Sequence, residues 1–451
     1  MGKLSDLTAI SESKELCDRT VLIGNTVERD LKSVMTVQEG IRICGENGDL
    51  FLTDKMLSRG LLNIGSTGSG KTNLICLLLQ EILNRLTTKD IVVIFDAKGD
   101  FYRLFYNENN PNHIVISTRP EHRKQTLSWN VFGELFDKEQ FDGCWDSNET
   151  AKTEISKALF KNIESEQQPF FHLASSDVFR MLLTWFIRKS YQSGDYSRLT
   201  NSSLISLIEN LTTEKLLNMA DEVGYRFIHS YLGSPQHPTP QSLGVEGFLQ
   251  SMCSTQFVSI FRDVAPTGDF SMRQLIQQKG ENVVFVEFDI ARGDTLAPIY
   301  SLLFNLAIKE QLSLGEGALY LITDEMSQLP YADKLSAACN VGRSRGIKLI
   351  AGLQSIQQLY AQYGEEEGKS IAAGFVNAIQ FNAVDYTTRE WFSQRMGKTY
   401  EVITYGTASL SREGFTVSDV DIHNLEVGEA YCDLFGLPPF KIKFKEFHEE
   451  V

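Results

Sequence analysis

An α/β fold built on a mostly parallel central sheet and interrupted by an all-helical insertion is predicted by three observations. Short continuous apolar runs at 61–64, 91–95, 283–288, 318–323 and 348–353 are spaced by helical stretches, the pattern of strands buried on both faces. A glycine-rich octapeptide, Gly65-Ser66-Thr67-Gly68-Ser69-Gly70-Lys71-Thr72, stands between the first of these runs and an apolar helical stretch. From about 148 to 267 the periodicity turns helical throughout.

Taken in order, a polar N-terminal stretch (1–36) leads into Gly40 to Cys44 and Asp49 to Leu52, which alternate around the turn Glu46-Asn47-Gly48 and read as a hairpin. Leu61 to Ile64 is the strand before the octapeptide, and Asn73 to Leu79 opens the helix after it. A second buried strand, Ile91 to Phe95, ends at Asp96-Ala97-Lys98-Gly99-Asp100, so that strand, helix and strand form the repeating unit of a parallel sheet. In the insertion, Ile155, Leu159, Phe160 and Ile163 share one helix face, and Val178 to Ile187 is apolar nearly all round. Phe170-Phe171 and Trp185-Phe186 read as core. Strand character returns at Val283 to Phe288, Ala318 to Thr323 and Lys348 to Leu353. The expected division is an N-terminal segment 1–36, the first part of the sheet domain 37–147, the all-α insertion 148–267 and the second part of the sheet domain 268–451.

Bulk properties narrow the class. With 451 residues and 42% apolar content the chain has room for two or three cored domains. Its 7 cysteines are widely spaced without a C-x-x-C pair, which argues against a disulfide framework or zinc ribbon and for a reducing compartment. The histidines show no metal-ligand spacing. No apolar stretch reaches transmembrane length, and the start Met1-Gly2-Lys3-Leu4-Ser5-Asp6 has neither a signal core nor a myristoylation motif. A net charge of −15 opposes attraction of the whole surface to DNA. Screening over about 8–10 Å still permits a local basic channel.

The octapeptide fits G-x-x-x-x-G-K-[ST], which chance places in only about one or two chains per hundred of this length. In this pattern backbone N–H groups cradle phosphate, the lysine reaches the β and γ oxygens, and the hydroxyl holds Mg²⁺. Gly65, Ser66, Thr67, Gly68, Ser69, Gly70, Lys71 and Thr72 are therefore expected to bind ATP, with Thr72 as a Mg²⁺ ligand. The strand Ala318 to Thr323 delivers Asp324-Glu325 at its C-terminal edge, where ligands sit in open α/β sheets. Asp324 reads as the second Mg²⁺ ligand, and Glu325 as the group that orients and deprotonates the attacking water. Gln354, at the end of the strand Lys348 to Leu353, reads as a contact to the γ-phosphate or the lytic water, or as an ordinary strand-end glutamine. Arg343 and Arg345, in Gly342-Arg343-Ser344-Arg345-Gly346, read as an arginine finger or as surface salt-bridge partners. Asp96 and Lys98 read equally as a magnesium or phosphate contact and as a turn-forming Asp beside a solvated Lys.

These residues, in this order, resemble the type IV secretion coupling proteins, the TraG/TraD group related to the FtsK and HerA translocases. The resemblance rests on GSTGSGKT, VVIFDAKGDFYRLF, LSWNVFGEL at 127–135, NVVFVEFD at 282–289, LITDEMSQLP at 321–330, GRSRGIKLIAGLQSIQQLYAQYG at 342–364 and VGEAYCDLFGLPPFKIKF at 427–444. It implies a RecA-like P-loop ATPase with Asp324 and Glu325 as Walker B. It further implies that Gln354 senses nucleotide and that Arg343 reaches a neighbour's site. Six identical subunits around a DNA channel are implied as well, with a helical domain that recognises the relaxosome or other cargo. Such proteins usually begin with transmembrane helices, and none is legible here. The expectation is thus a cytoplasmic, ATP-driven DNA translocase that delivers DNA to a conjugation or type IV secretion channel, held at the inner face of the membrane through a separate anchor protein. Two alternatives are a soluble HerA-like motor in DNA processing or antiphage defence, and a nucleotide-gated adaptor for protein cargo.

Overall fold

A computed structural model of the chain describes residues 17–36, 38–139, 141, 148–160, 169–234, 239–288, 293–405 and 408–448. Met1 to Asp6, Ile163 and Asp289, which figure in the sequence readings, lie outside the described residues. The strands are β1 (Cys17–Ile23), β2 (Ile41–Ile43), β3 (Leu50–Leu52), β4 (Leu61–Ile64), β5 (Asp90–Asp96), β6 (His113–Ser117), β7 (Ser128–Trp129) and β8 (Asp269–Phe270). They continue as β9 (Asn282–Glu287), β10 (Ala318–Thr323), β11 (Ile347–Leu353), β12 (Asn377–Gln380), β13 (Lys398–Tyr405), β14 (Ala408–Phe415), β15 (Glu429–Asp433) and β16 (Phe440–Lys443). The chain divides into two compact units, the first made of 1–85, 324–327 and 348–451, the second of 86–323 and 328–347.

In the first unit the strand order is β16-β15-β12-β4-β11. The pairs β12–β4 and β4–β11 are parallel, whereas β12–β15 and β15–β16 are antiparallel. Leu61, Leu62, Asn63 and Ile64 of β4 are all at most 1% exposed, as a strand covered on both faces requires. The hairpin expected before β4 is present, with Ile41 to Ile43 paired against Leu52 to Leu50. A separate antiparallel sheet, β1-β13-β14, belongs to the same unit.

The second unit carries the parallel order β10-β5-β9-β6. The elements described between 148 and 267 are all helical and include Glu149–Leu159, Pro169–Ser193, Asn201–Glu209, Thr213–Val223 and Pro240–Gln256. Val178, Phe179, Met181, Leu182 and Leu183 fill its core at 0% exposure. Phe170, Phe171 and Trp185, read from sequence as core, are instead half-buried, and the Trp185 indole N–H reaches out to Glu222 at 2.8 Å. An indole keeps its polar edge where a partner exists.

The segment around Trp129 is explained by one buried carboxylate. Glu134, 2% exposed, accepts from the Trp129 indole at 2.9 Å, the backbone N–H groups of Met272 and Arg273 at 2.6 and 3.0 Å, and the Ser271 hydroxyl at 2.9 Å. It thereby satisfies the otherwise orphaned donors at the start of the helix Met272–Gln278. Asn201 ties the same segment to the helices, donating to the carbonyls of Trp129 and Phe261 at 2.8 Å each and accepting from Val131 N–H at 3.0 Å. Among the described residues no helix is long and apolar enough to cross a membrane.

Candidate active site

The glycine-rich loop follows β4 and is pinned at its start. Gly65 N–H donates to the Leu353 carbonyl at the end of β11 (3.1 Å), and Ser66 N–H donates to the Asn382 carbonyl just past β12 (2.7 Å). Val384 N–H donates to the Ser66 hydroxyl at 3.0 Å. Gly68 and Gly70 have φ of 76° and 115°, a backbone that residues with a Cβ rarely adopt, and this curls the loop. A Cβ at Gly65 would come within 2.7 Å of Phe381 and 2.8 Å of the Ser69 hydroxyl, so only glycine fits there.

The helix Lys71–Leu83 begins directly after Gly70, and no side chain caps it. Its first-turn N–H groups therefore open onto the loop, the arrangement that attracts anions at helix N-termini. The Lys71 ammonium, 7% exposed, is held on the carbonyls of Gly65 and Ser66 at 2.5 and 3.1 Å. Among the described residues the buried Ser69 hydroxyl has no hydrogen-bond partner, and it lies 2.8 Å from where a Cβ on Gly65 would stand.

Facing the loop, the Thr72 hydroxyl lies 3.0 and 2.9 Å from the two carboxylate oxygens of Asp324. Asp324 follows the last residue of β10, and its carbonyl oxygen packs 2.0 Å from where a Cβ on Gly352 would stand. Glu325, 4% exposed, has both oxygens engaged. Ser327 donates its hydroxyl to Oε1 at 2.7 Å, and Gln354 donates its amide to Oε2 at 2.7 Å. A hydroxyl and a carboxylate converging beside a curled loop suit a small divalent cation and phosphate oxygens.

The structure therefore brings the loop, Asp324, Glu325 and Gln354 together within the first unit. Arg343 lies in the second unit on the 3₁₀ turn Gly342–Arg345, exposed and with no side-chain hydrogen bond or ion pair among the described residues. Asp96, also in the second unit, spends both carboxylate oxygens on its own loop, accepting from Gly99 N–H at 2.8 Å and Tyr102 N–H at 2.9 Å. Burial pushes its carboxyl above the usual range. That is the turn-forming one of the two readings, and Lys98 beside it is exposed. Ser327 and Gly352 lie within segments that carry the resemblance, but were not legible as site residues, because nothing in either residue type at its position assigns it a role. Among the described residues no group of three or more His, Cys, Asp or Glu that could hold a metal ion is present.

The chain is similar in fold and in sequence to several conjugation proteins. The bacterial conjugative coupling protein TrwBdeltaN70, in an unbound form, superposes with a TM-score of 0.73 over 95% of this chain and 96% of its own, at 21% identity. The plasmid coupling protein TrwB in complex with ADP and Mg²⁺ gives 0.71, with 96% of each chain covered at 20% identity. The coupling protein TraD of Escherichia coli K12 is 22% identical over 446 residues, covering 97% of this chain and 56% of TraD. A probable conjugal transfer protein TraG of Sinorhizobium fredii NGR234 is 25% identical over 206 residues, 45% of this chain and 32% of that protein. The chain thus spans about half the length, or less, of these curated relatives. A family model for the type IV secretion-system coupling protein DNA-binding domain matches residues 48–420, most of the chain, and the chain belongs to that family.

Proposed function

We propose that this chain is the ATP-driven motor of a coupling protein, moving DNA with its attached relaxase toward a type IV secretion or conjugation channel as a homo-hexamer. The observation that supports it best is the constellation in the first unit: an uncapped helix start behind a two-glycine curl, with Thr72 on Asp324 and Gln354 on Glu325. TrwB has been seen with ADP and Mg²⁺ and with an ATP analogue, which supports the same ligands for a chain of this fold.

In this reading Thr72 and Asp324 hold Mg²⁺, which when bound offsets the charge between the β- and γ-phosphate oxygens. Lys71 exchanges the carbonyls of Gly65 and Ser66 for phosphate oxygens, and the loop amides and the Ser69 hydroxyl complete the cradle. Glu325 orients the attacking water and takes its proton, and Gln354, on a separate strand, registers whether the γ-phosphate is present. Arg343 serves the site of a neighbouring subunit. The helical region 148–267 is the inserted domain that recognises cargo, and the secretion channel or a membrane protein beside it is the docking partner.

The test is ATPase rate measured alone and with single- or double-stranded DNA. Stimulation by either form, with apparent DNA affinity falling steeply as salt rises, is the expected result. Hydrolysis indifferent to both DNA forms, beside tight binding of a protein cargo, would sink the motor reading.

A further inference from the structure

We propose that Ser327 is a positioning residue for ATP hydrolysis, fixing one oxygen of Glu325 so that the other is free to meet water. The assignment rests on the reading of Glu325 as the group that activates water. A carboxylate held by one donor can still turn about its last bond, and donors on opposite oxygens fix its plane. Glu325 has both, Ser327 on Oε1 and Gln354 on Oε2, each at 2.7 Å.

The two donors are not equivalent. Gln354 comes from the end of β11, 29 residues further along the chain, so its amide can leave Glu325 without moving the Glu325 backbone. Ser327 lies two residues after Glu325 in the short 3₁₀ turn Met326–Gln328, whose Met326 is 1% exposed. The turn and Glu325 therefore move as one piece. When Gln354 turns to a phosphate or water, Oε2 is released while Oε1 stays held. Oε2 is thereby turned toward the water, with only the residual turn about the last bond left to be frozen out during the reaction.

Losing a hydrogen bond to a buried charged group predicts that Ser327→Ala lowers kcat about ten-fold, while KM for ATP and the affinity for a fluorescent nucleotide stay within about two-fold. Ser327→Cys keeps the size but donates poorly, so it should lose rate like alanine. Ser327→Thr keeps the hydroxyl and should restore at least half of the wild-type kcat. A merely structural serine gives a different pattern, in which cysteine is tolerated or threonine fails, or in which melting temperature and nucleotide affinity fall together with rate. Any of these, or a kcat for Ser327→Ala within two-fold of wild type while Glu325→Gln is inactive, overturns the assignment. If Glu325→Gln itself hydrolyses ATP at the wild-type rate, the water-activating role of Glu325 is what fails.

Discussion

Gly352→Ala is the sharpest probe of how the sheet places Asp324, the carboxylate proposed to hold Mg²⁺. A methyl group there would stand 2.0 Å from the carbonyl oxygen of Asp324 and 2.9 Å from its carbonyl carbon, both backbone atoms that no rotamer change can clear. Ordinary contact begins at 3.4 Å, so strand or peptide must shift by about 1.4 Å. On the other side Gly352 is in register with Asn63 of β4, and every residue of β11 is buried, which leaves Asp324 as the part that yields. Asp324 holds Thr72 at 3.0 and 2.9 Å, and misplacing a positioned group by about 1 Å costs on the order of 100-fold in rate. The expected outcome is therefore a fall of about 100-fold in kcat, together with a loss of about 1–3 kcal/mol in unfolding free energy from overpacking. Nucleotide binding measured without Mg²⁺ should change little, because the loop and Lys71 are untouched. Steady-state ATPase, urea unfolding and a nucleotide titration in EDTA measure the three quantities. A variant with kcat within about three-fold of wild type and unaltered stability would refute the tight packing of Gly352 on Asp324 and the placement argument with it.

Lys71→Ala should abolish ATP turnover by removing charge from the β- and γ-phosphates, whereas Glu325→Gln should keep ATP binding and lose hydrolysis; undiminished turnover in either variant removes the site proposed here. Arg343→Ala should bind ATP nearly normally and hydrolyse it poorly, because a trans contact matters as charge develops in the transition state. Mixing it with Lys71→Ala subunits should recover activity at interfaces that keep both groups, and mixed rings seen by native mass spectrometry without recovered ATPase would exclude the trans role. Glu134→Gln replaces one carboxylate oxygen by an NH₂; even on the Oε2 side, where the Ser271 hydroxyl can turn to accept, it faces the Arg273 N–H, so stability should fall by about 1–3 kcal/mol in denaturant unfolding, the cost of one buried donor left unpaired. An unchanged midpoint would contradict the buried cap.

What the sequence made legible follows from how each strand is covered. Strands β4, β5, β9, β10 and β11 are buried almost throughout, so they stand out as unbroken apolar runs, and the candidate site residues follow the C-terminal ends of β4, β10 and β11, where parallel topology puts ligands. Strand β12, beside β4, is as buried but reads Asn-Ala-Ile-Gln, because its polar side chains are used internally. Asn377 donates to the carbonyls of Met56 and Gly60 at 2.7 and 2.8 Å, and Gln380 donates to those of Ile64 and Phe381 at 3.3 and 2.7 Å. A pattern of polarity cannot tell such bonds from solvent contact, so β12 does not stand out as a strand although it carries the start of the glycine-rich loop through Asn382 and Ser66. The same blindness hides the clamp on Glu325. An Asp-Glu pair at a strand end fixes where the carboxylate leaves the sheet, yet its useful orientation depends on a serine that any sequence tolerates two positions later and an amide brought from 29 residues away. That second contact needs the end of β11 brought beside Glu325, so local motifs show which residues form the candidate site, while their aim depends on the packing of β11 with its glycine at 352.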